Sequence, residues 1–209
     1  MKLYFVRHGQ TYLNKYKKMQ GWSDAPLTLE GEEAALETGI RLSDIPFVAV
    51  YTSDLGRTQQ TAKLILSQSK YPKDFYPMQE FRESCFGFFE GEEDKTFYSK
   101  VAEKHGISLR DVFLKLDMET ISSDMLEMDP YKDAELTSDV LERVLKGIQT
   151  IIDNHNIEDS ILIVTHGNII RTIVKHFSSE TQVMTEIKNS SISIIDYVDG
   201  QYQLETFNS

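Results

Sequence analysis

Two short apolar runs in this chain end on a histidine–glycine pair. Leu3–Val6 runs into FVRHGQT at 5–11, and Ile161–Val164 runs into VTHGN at 164–168. Near-continuous apolar runs of this length read as strands buried on both faces, as in a parallel sheet. Phe47–Tyr51, Ser191–Val198 and Tyr202–Thr206 read as further strands, and Asp199-Gly200 between the last two is a hairpin turn signal. Helical patterns lie between the strands. Residues 29–42 follow Thr28 as N-cap, with Glu30, Glu32 and Glu33 near the positive end of the helix dipole. Residues 57–66 form a second helix. Residues 138–153 carry Val140, Leu141, Val144, Leu145, Ile148, Ile151 and Ile152 on one stripe. A further helix starts just after His166 and runs to about Phe177. The alternation predicts an α/β fold: a three-layer α/β/α sandwich with a mostly parallel central sheet and one antiparallel edge from the terminal hairpin.

The 209 residues suit one domain spanning 1–209. Residues 84–135 break the alternation. They are rich in aromatics and carry six Lys or Arg against thirteen acids, a local net of about −7. The expectation is a mostly helical lid inserted over the sheet. The whole chain is also acidic, at −11, which argues against nucleic acid or an anionic membrane as partner. Cys85 is the one cysteine, so no disulfide forms within the chain. It reads as a small buried hydrophobe, and a reducing cytoplasm is the expected compartment. The first apolar run is too short for a signal peptide and lacks a small-residue cleavage site.

In an open α/β sheet, ligands bind beyond the carboxyl ends of the strands. Four segments deliver polar groups there: Arg7-His8-Gly9, Ser53 to Arg57, Arg82-Glu83 after a run around Phe75–Phe81, and His166-Gly167-Asn168. Neighbouring strands would bring together two histidines, two arginines and a glutamate. Two arginine forks match the oxygens of a phosphoryl group. A histidine among them can act as nucleophile if a backbone carbonyl holds its other ring nitrogen. A second histidine can donate to the equatorial oxygens. A glutamate whose pKa is raised by burial can protonate the leaving oxygen. Gly9 and Gly167 are expected to let backbone approach the ligand, and the amides of the helix after His166 add to an anion site.

The motifs FVRHGQT, Asn14, MQGWSDAPLTLEG at 19–31, YTSDLGRTQQTA at 51–62, FRESCFGFFEG at 81–91 and VTHGN occur in one order over nearly the whole chain. In this the chain resembles the histidine phosphatase superfamily, which includes cofactor-dependent phosphoglycerate mutases and related phosphatases. The resemblance implies that His8 becomes phosphorylated and that Arg7, Arg57 and His166 hold the phosphate. It implies that Glu83 is the general acid that later activates water. It places Asn14 against phosphate or substrate and Thr11, Gln20, Gly21, Gly167 and Asn168 around the pocket. It implies no metal and no cofactor.

Other residues read more plainly. Asp54 is expected to cap the following helix. Glu80, Glu90, Glu92 and Glu93 are expected to be mostly solvated. Arg82 reads as a surface or supporting residue, and Trp22 as packing or an entrance wall. His105, His155 and His176 match no motif. The aromatics Phe81, Phe86, Phe88, Phe89, Phe97 and Tyr98 read as core, with room for one or two to face the pocket.

Within the family, the net acidity of the lid would repel a small polyanion, and the lid holds one arginine, Arg110, and one proline, Pro130. The expectation is therefore a phosphomonoester hydrolase acting on a small metabolite. The alternatives are a 2,3-bisphosphoglycerate-dependent mutase and a non-catalytic phospholigand-binding protein. The implied partner is a small-molecule phosphomonoester, with a homodimer left open.

Overall fold

The computed structural model of the chain describes residues 1–178 and 186–209. Six strands form one sheet: β1 Lys2–Arg7, β2 Ala49–Thr52, β3 Tyr76–Pro77, β4 Ser160–Thr165, β5 Ile192–Val198 and β6 Gln201–Thr206. Their order is β3-β2-β4-β1-β5-β6. The first four run parallel, while β5 and β6 are antiparallel to their neighbours. Asp199 and Gly200, at φ of 51° and 77°, make the tight β5–β6 turn. Two consecutive positive φ values are what a type I′ hairpin requires.

The helices are α1 Tyr12–Lys15, α2 Leu29–Leu42, α3 Gly56–Ser67, α4 Asp94–His105, α5 Val112–Lys115, α6 Met118–Met128, α7 Thr137–Asn154 and α8 Gly167–Phe177. Side chains alternate across each strand, so the sheet has two apolar faces. Leu3, Phe5, Ala49, Ile161 and Ile163 pack with Val144, Ile148 and Ile151 of α7 and Ile169, Ile170 and Ile173 of α8. Tyr4, Val6, Val50, Leu162 and Val164 pack with Leu42 of α2 and Ala62 and Ile65 of α3. This is the three-layer sandwich the alternation predicts.

One expectation is corrected. The run around Phe75–Phe81 yields only the two-residue β3 at the sheet edge, followed by a 3-10 turn at Gln79–Phe81. Pro77 has no N–H to extend a ladder, which suits an edge and stops the strand. Residues 84–135 hold α4, α5 and α6, a mostly helical insertion as expected. They build a third cluster of their own, Phe89, Phe97, Val101, Val112, Ile121 and Met125, seated on Met19 from the loop after α1. Loop and segment join through the Lys18–Glu93 bridge. The segment is thus tied to the strand-end side of the molecule, where β1 delivers its last residues.

Candidate active site

β1 and β4 pair in register, with Arg7 opposite Thr165. Adjacent strands therefore end together, and His8 and His166 follow side by side. Their rings meet edge-on with centroids 5.2 Å apart. Nδ1 of His8 lies 2.8 Å from the Gly9 carbonyl oxygen. A carbonyl can only accept, so Nδ1 carries the proton and Nε2 keeps its lone pair. No hydrogen bond occupies Nε2 among the described residues. Burial, then the charges of Arg57 and Arg7, hold the ring well below the usual histidine pKa of 6.5. It is neutral at pH 7. His166 is held low by burial in the same way, with Arg57, His8 and Arg7 adding to the effect.

Arg57 is 1% exposed despite its charge. It lies in the first turn of α3, and a loop from elsewhere in the chain grips it. Nη1 donates to the Ser23 carbonyl at 2.9 Å and to Asp24 Oδ1 at 3.1 Å, and Nη2 donates to the Gly21 carbonyl at 2.7 Å. Glu90 holds that loop: its carboxylate accepts the amides of Gly21, Trp22, Ser23 and Phe86 at 2.8–3.1 Å. Glu90 is therefore an organising group and not a solvated surface acid. A methyl on Gly21 would sit 2.3 Å from that carboxylate, so the glycine allows the loop to close.

Arg7 donates from Nη1 to the Ile187 carbonyl. Burial brings its guanidinium down to about 10, still charged at neutral pH. Gly167 lies beside it, its missing Cβ position 3.4 Å from Arg7 Nε. Among the described residues, four buried nitrogens of the site have no partner: Arg7 Nε, Arg57 Nε, Gln20 Nε2 and His166 Nδ1. Buried polar groups are nearly always satisfied, and an acceptor-rich anion is a group that could satisfy these.

Glu83 is 6% exposed. Oε1 accepts the Ser84 amide at 3.0 Å and Oε2 the Asn168 amide at 3.1 Å. Burial raises its pKa against the opposing pull of those amides, Arg57 and Arg7. Arg143 on α7 fixes the loop that carries it, donating to the carbonyls of Glu80, Arg82 and Glu83 at 2.7–3.0 Å. Of the remaining expected residues, Thr11 and Gly21 contact Gln20 and Arg57 without lining the cavity. Thr11 Oγ1 donates to Gln20 Oε1 at 2.5 Å and caps α1 by accepting the Asn14 amide at 3.1 Å. Asn189 donates to the His8 carbonyl at 3.0 Å. Asn14, Gln20, Gly167 and Asn168 line one cavity of about 360 Å³ with Arg7 and Glu83.

Gly9 has a packing role as well: a Cβ there would meet the Gly31 carbonyl at 2.5 Å, so the glycine lets α2 pack against the strand end. Other expectations change. Asp54 does not cap α3. It forms a two-pronged pair with Arg82 at 2.6–2.7 Å, and Arg82 in turn covers the Trp22 ring. The α3 amides of Gly56 and Arg57 point at Asp24 instead. The acidity of segment 84–135 does not face the cavity either, since Asp94 is its one acid among the lining residues. Asp124 is tied to Lys104 and His105, and Asp129 to backbone amides. The cavity lining includes the cations Lys17, Lys18 and Arg171, the acid Glu186 and the aromatics Phe86, Tyr98 and Phe113. Cys85 is only half-buried.

Among the described residues, no three His, Cys, Asp or Glu side chains group so as to hold a metal ion. No described helix is long and apolar enough to cross a membrane.

A nucleophile-ready histidine between buried arginines, on an α/β sheet with a carboxyl alongside, defines an enzyme of phosphoryl-group chemistry. The chain belongs to the histidine phosphatase superfamily (branch 1), whose family model matches residues 3–209. It is 33% identical to a broad-specificity phosphatase of Saccharomyces cerevisiae over 97% of this chain and 82% of that protein. A probable phosphoglycerate mutase of Salmonella choleraesuis is 43% identical over 65 residues, covering 31% of this chain and 30% of that protein. A solved structure named as a phosphoglycerate mutase of Bacillus anthracis superposes with a TM-score of 0.92 at 32% identity, covering 100% of this chain and 93% of that one.

Proposed function

We propose that the protein is a metal-independent phosphomonoester hydrolase that works through a phosphohistidine on His8. One observation carries the reading: Gly9 holds Nδ1 of His8 and leaves a neutral Nε2 with a free lone pair. In the first step this lone pair attacks phosphorus and the bond from phosphorus to the alcohol oxygen breaks. Glu83, whose carboxyl burial holds above the ordinary carboxylate value, gives a proton to the departing oxygen. In the second step water attacks phosphorus, Glu83 takes the water proton, and the P–N bond breaks back to Nε2. Arg7, Arg57, Gln20 and His166 hold the phosphoryl oxygens, whose charge builds in both steps. Segment 84–135 acts as the lid that walls the alcohol half. Likeness to the yeast broad-specificity phosphatase over nearly the full chain supports hydrolysis. The cytoplasm is the compartment proposed, where the lone thiol of Cys85 stays reduced.

A mutase reading draws on the cavity itself. Lys17, Lys18 and Arg171 suit an alcohol bearing a second anionic group, and the Bacillus anthracis structure carries the mutase name. The experiment is a panel of phosphomonoesters, with and without EDTA, beside 3-phosphoglycerate primed by 2,3-bisphosphoglycerate. Hydrolysis that survives EDTA and dominates isomerisation is expected. His8→Ala should lose about 10³-fold or more of the rate. Wild-type turnover in that variant would remove the covalent mechanism.

A further inference from the structure

Ser53 follows β2, and its hydroxyl lies 2.7 Å from Nε2 of His166. Both residues are 0% exposed, and the other ring nitrogen, Nδ1, has no hydrogen-bond partner among the described residues. The surroundings of the hydroxyl decide what it offers the ring. Thr58 Oγ1, 2.9 Å from Ser53 Oγ, also reaches the carbonyls of Ser53 and Leu55 at 3.0 and 2.8 Å. Carbonyls only accept, so the Thr58 proton belongs to them. The Leu55 amide points at Ser53 Oγ at 3.3 Å, so that oxygen already accepts one bond. The Ser53 proton is left with two acceptors, Thr58 Oγ1 and His166 Nε2. The imidazole nitrogen is the stronger base and the closer atom.

We infer that Ser53 is a positioning residue: it donates to Nε2 of His166 and so holds the neutral ring with its proton on Nδ1, facing the phosphoryl site. The groups around the ring favour a neutral form. Arg7 and His8 reach it from the end of β1, Arg57 from α3 and Arg143 from α7. Glu83, the nearby acid, is engaged by the amide of Asn168 two residues on. With the opposite tautomer, a lone pair would face the phosphoryl oxygens and repel them. A protonated ring would add a third cation to a pocket that already holds two guanidiniums. The serine hydroxyl avoids both, because it supplies a donor to the substrate without adding charge to the empty site.

The inference rests on the phosphoryl-binding reading of the pocket, and two measurements separate them. The first is nitrogen-15 NMR of ligand-free protein labelled at histidine, which reads the tautomer directly. His166 is expected as the Nδ1–H form in the wild type, and in the Nε2–H form or a mixture in Ser53→Ala. An Nε2–H wild-type ring overturns the inference with no variant needed. The second is inhibition by orthovanadate and inorganic phosphate, with kcat and KM, across pH. Ser53→Ala should lose about 10-fold or more in kcat and inhibitor affinity at neutral pH. It should recover part of that loss as pH falls and His166 gains a second proton. Ser53→Thr, which keeps the hydroxyl, should restore the neutral-pH value. A Ser53→Ala enzyme with the wild-type pH profile overturns the inference. A wild-type protein that binds neither anion overturns the phosphoryl reading instead, while the tautomer measurement stands.

Discussion

Asp24 holds Arg57 from 33 residues away in sequence, with Oδ1 3.1 Å from the guanidinium Nη1. The same carboxylate faces the amides that open α3. One side chain thus serves as helix cap and as ion partner for an arginine of the proposed phosphoryl pocket. The arrangement places the charge of Arg57 before any substrate arrives. Glu90 repeats the device one layer out, since it gathers three amides of the loop that carries Asp24, together with the amide of Phe86.

Asp24→Ala should therefore lower kcat/KM about 10-fold, because a hydrogen bond to a charged group is worth about 1.5–3 kcal/mol. Glu90→Ala should lower it as well, by freeing the loop, and should also cost stability. Steady-state kinetics beside urea melts separate the two. Unchanged kcat/KM in both variants would mean that Arg57 is placed by α3 alone.

Stability should respond to pH with opposite signs from the two kinds of site group. The folded-state pKa of His8 is depressed below 6.5, so its contribution is present above that value and lost as pH falls through the window beneath it. The pKa of Glu83 is raised above 4.5, so its contribution is full below that value and lost as pH rises through the raised one. His8→Asn should accordingly lose less Tm than the wild type between about pH 7 and about pH 5. Glu83→Gln should gain on the wild type at pH 7 relative to pH 4.5. Calorimetry of the three proteins checks both signs.

Gly31→Ala should destabilise the fold by about 1–3 kcal/mol, the usual cost of forcing an extra carbon into a packed contact. Its Cβ would fall 2.2 Å from the Gln10 carbonyl. Since Gly31 packs on the backbone beside His8, kcat should fall with stability. A variant that keeps wild-type Tm would show that α2 can move away from the strand end.

The alcohol half of the cavity makes its own prediction. Lys17→Glu should raise KM for phosphomonoesters bearing a carboxylate or second phosphate, and leave p-nitrophenyl phosphate little changed. Phe113→Ala should do the reverse, through loss of the aromatic wall. Equal effects on both substrate types would assign these residues to lid packing instead.

The layers, strand positions and helix stripes were legible in the sequence because apolar periodicity depends on near neighbours. The convergence of His8, Arg57, Glu83 and His166 was legible too, since each sits in or beside a turn near a strand end, where an open α/β sheet gathers polar groups. Asp24, Ser53, Glu90 and Arg143 were not. Each acts on a partner far along the chain or across a turn, and nothing in its local pattern distinguishes it from a solvated polar residue. The charge of segment 84–135 misled for the same reason: counting acids cannot say which way they face.

By itself, the sequence determined a mostly parallel α/β sheet and the chemistry delivered to its carboxyl edge, because strand periodicity and turn positions are local properties. Only the tertiary structure decided which groups hold that chemistry in place. The Gly9 carbonyl on His8, Asp24 on Arg57 and Ser53 on His166 are directional contacts of about 3 Å. Such contacts exist only once the strands, loops and helix ends that carry them have packed.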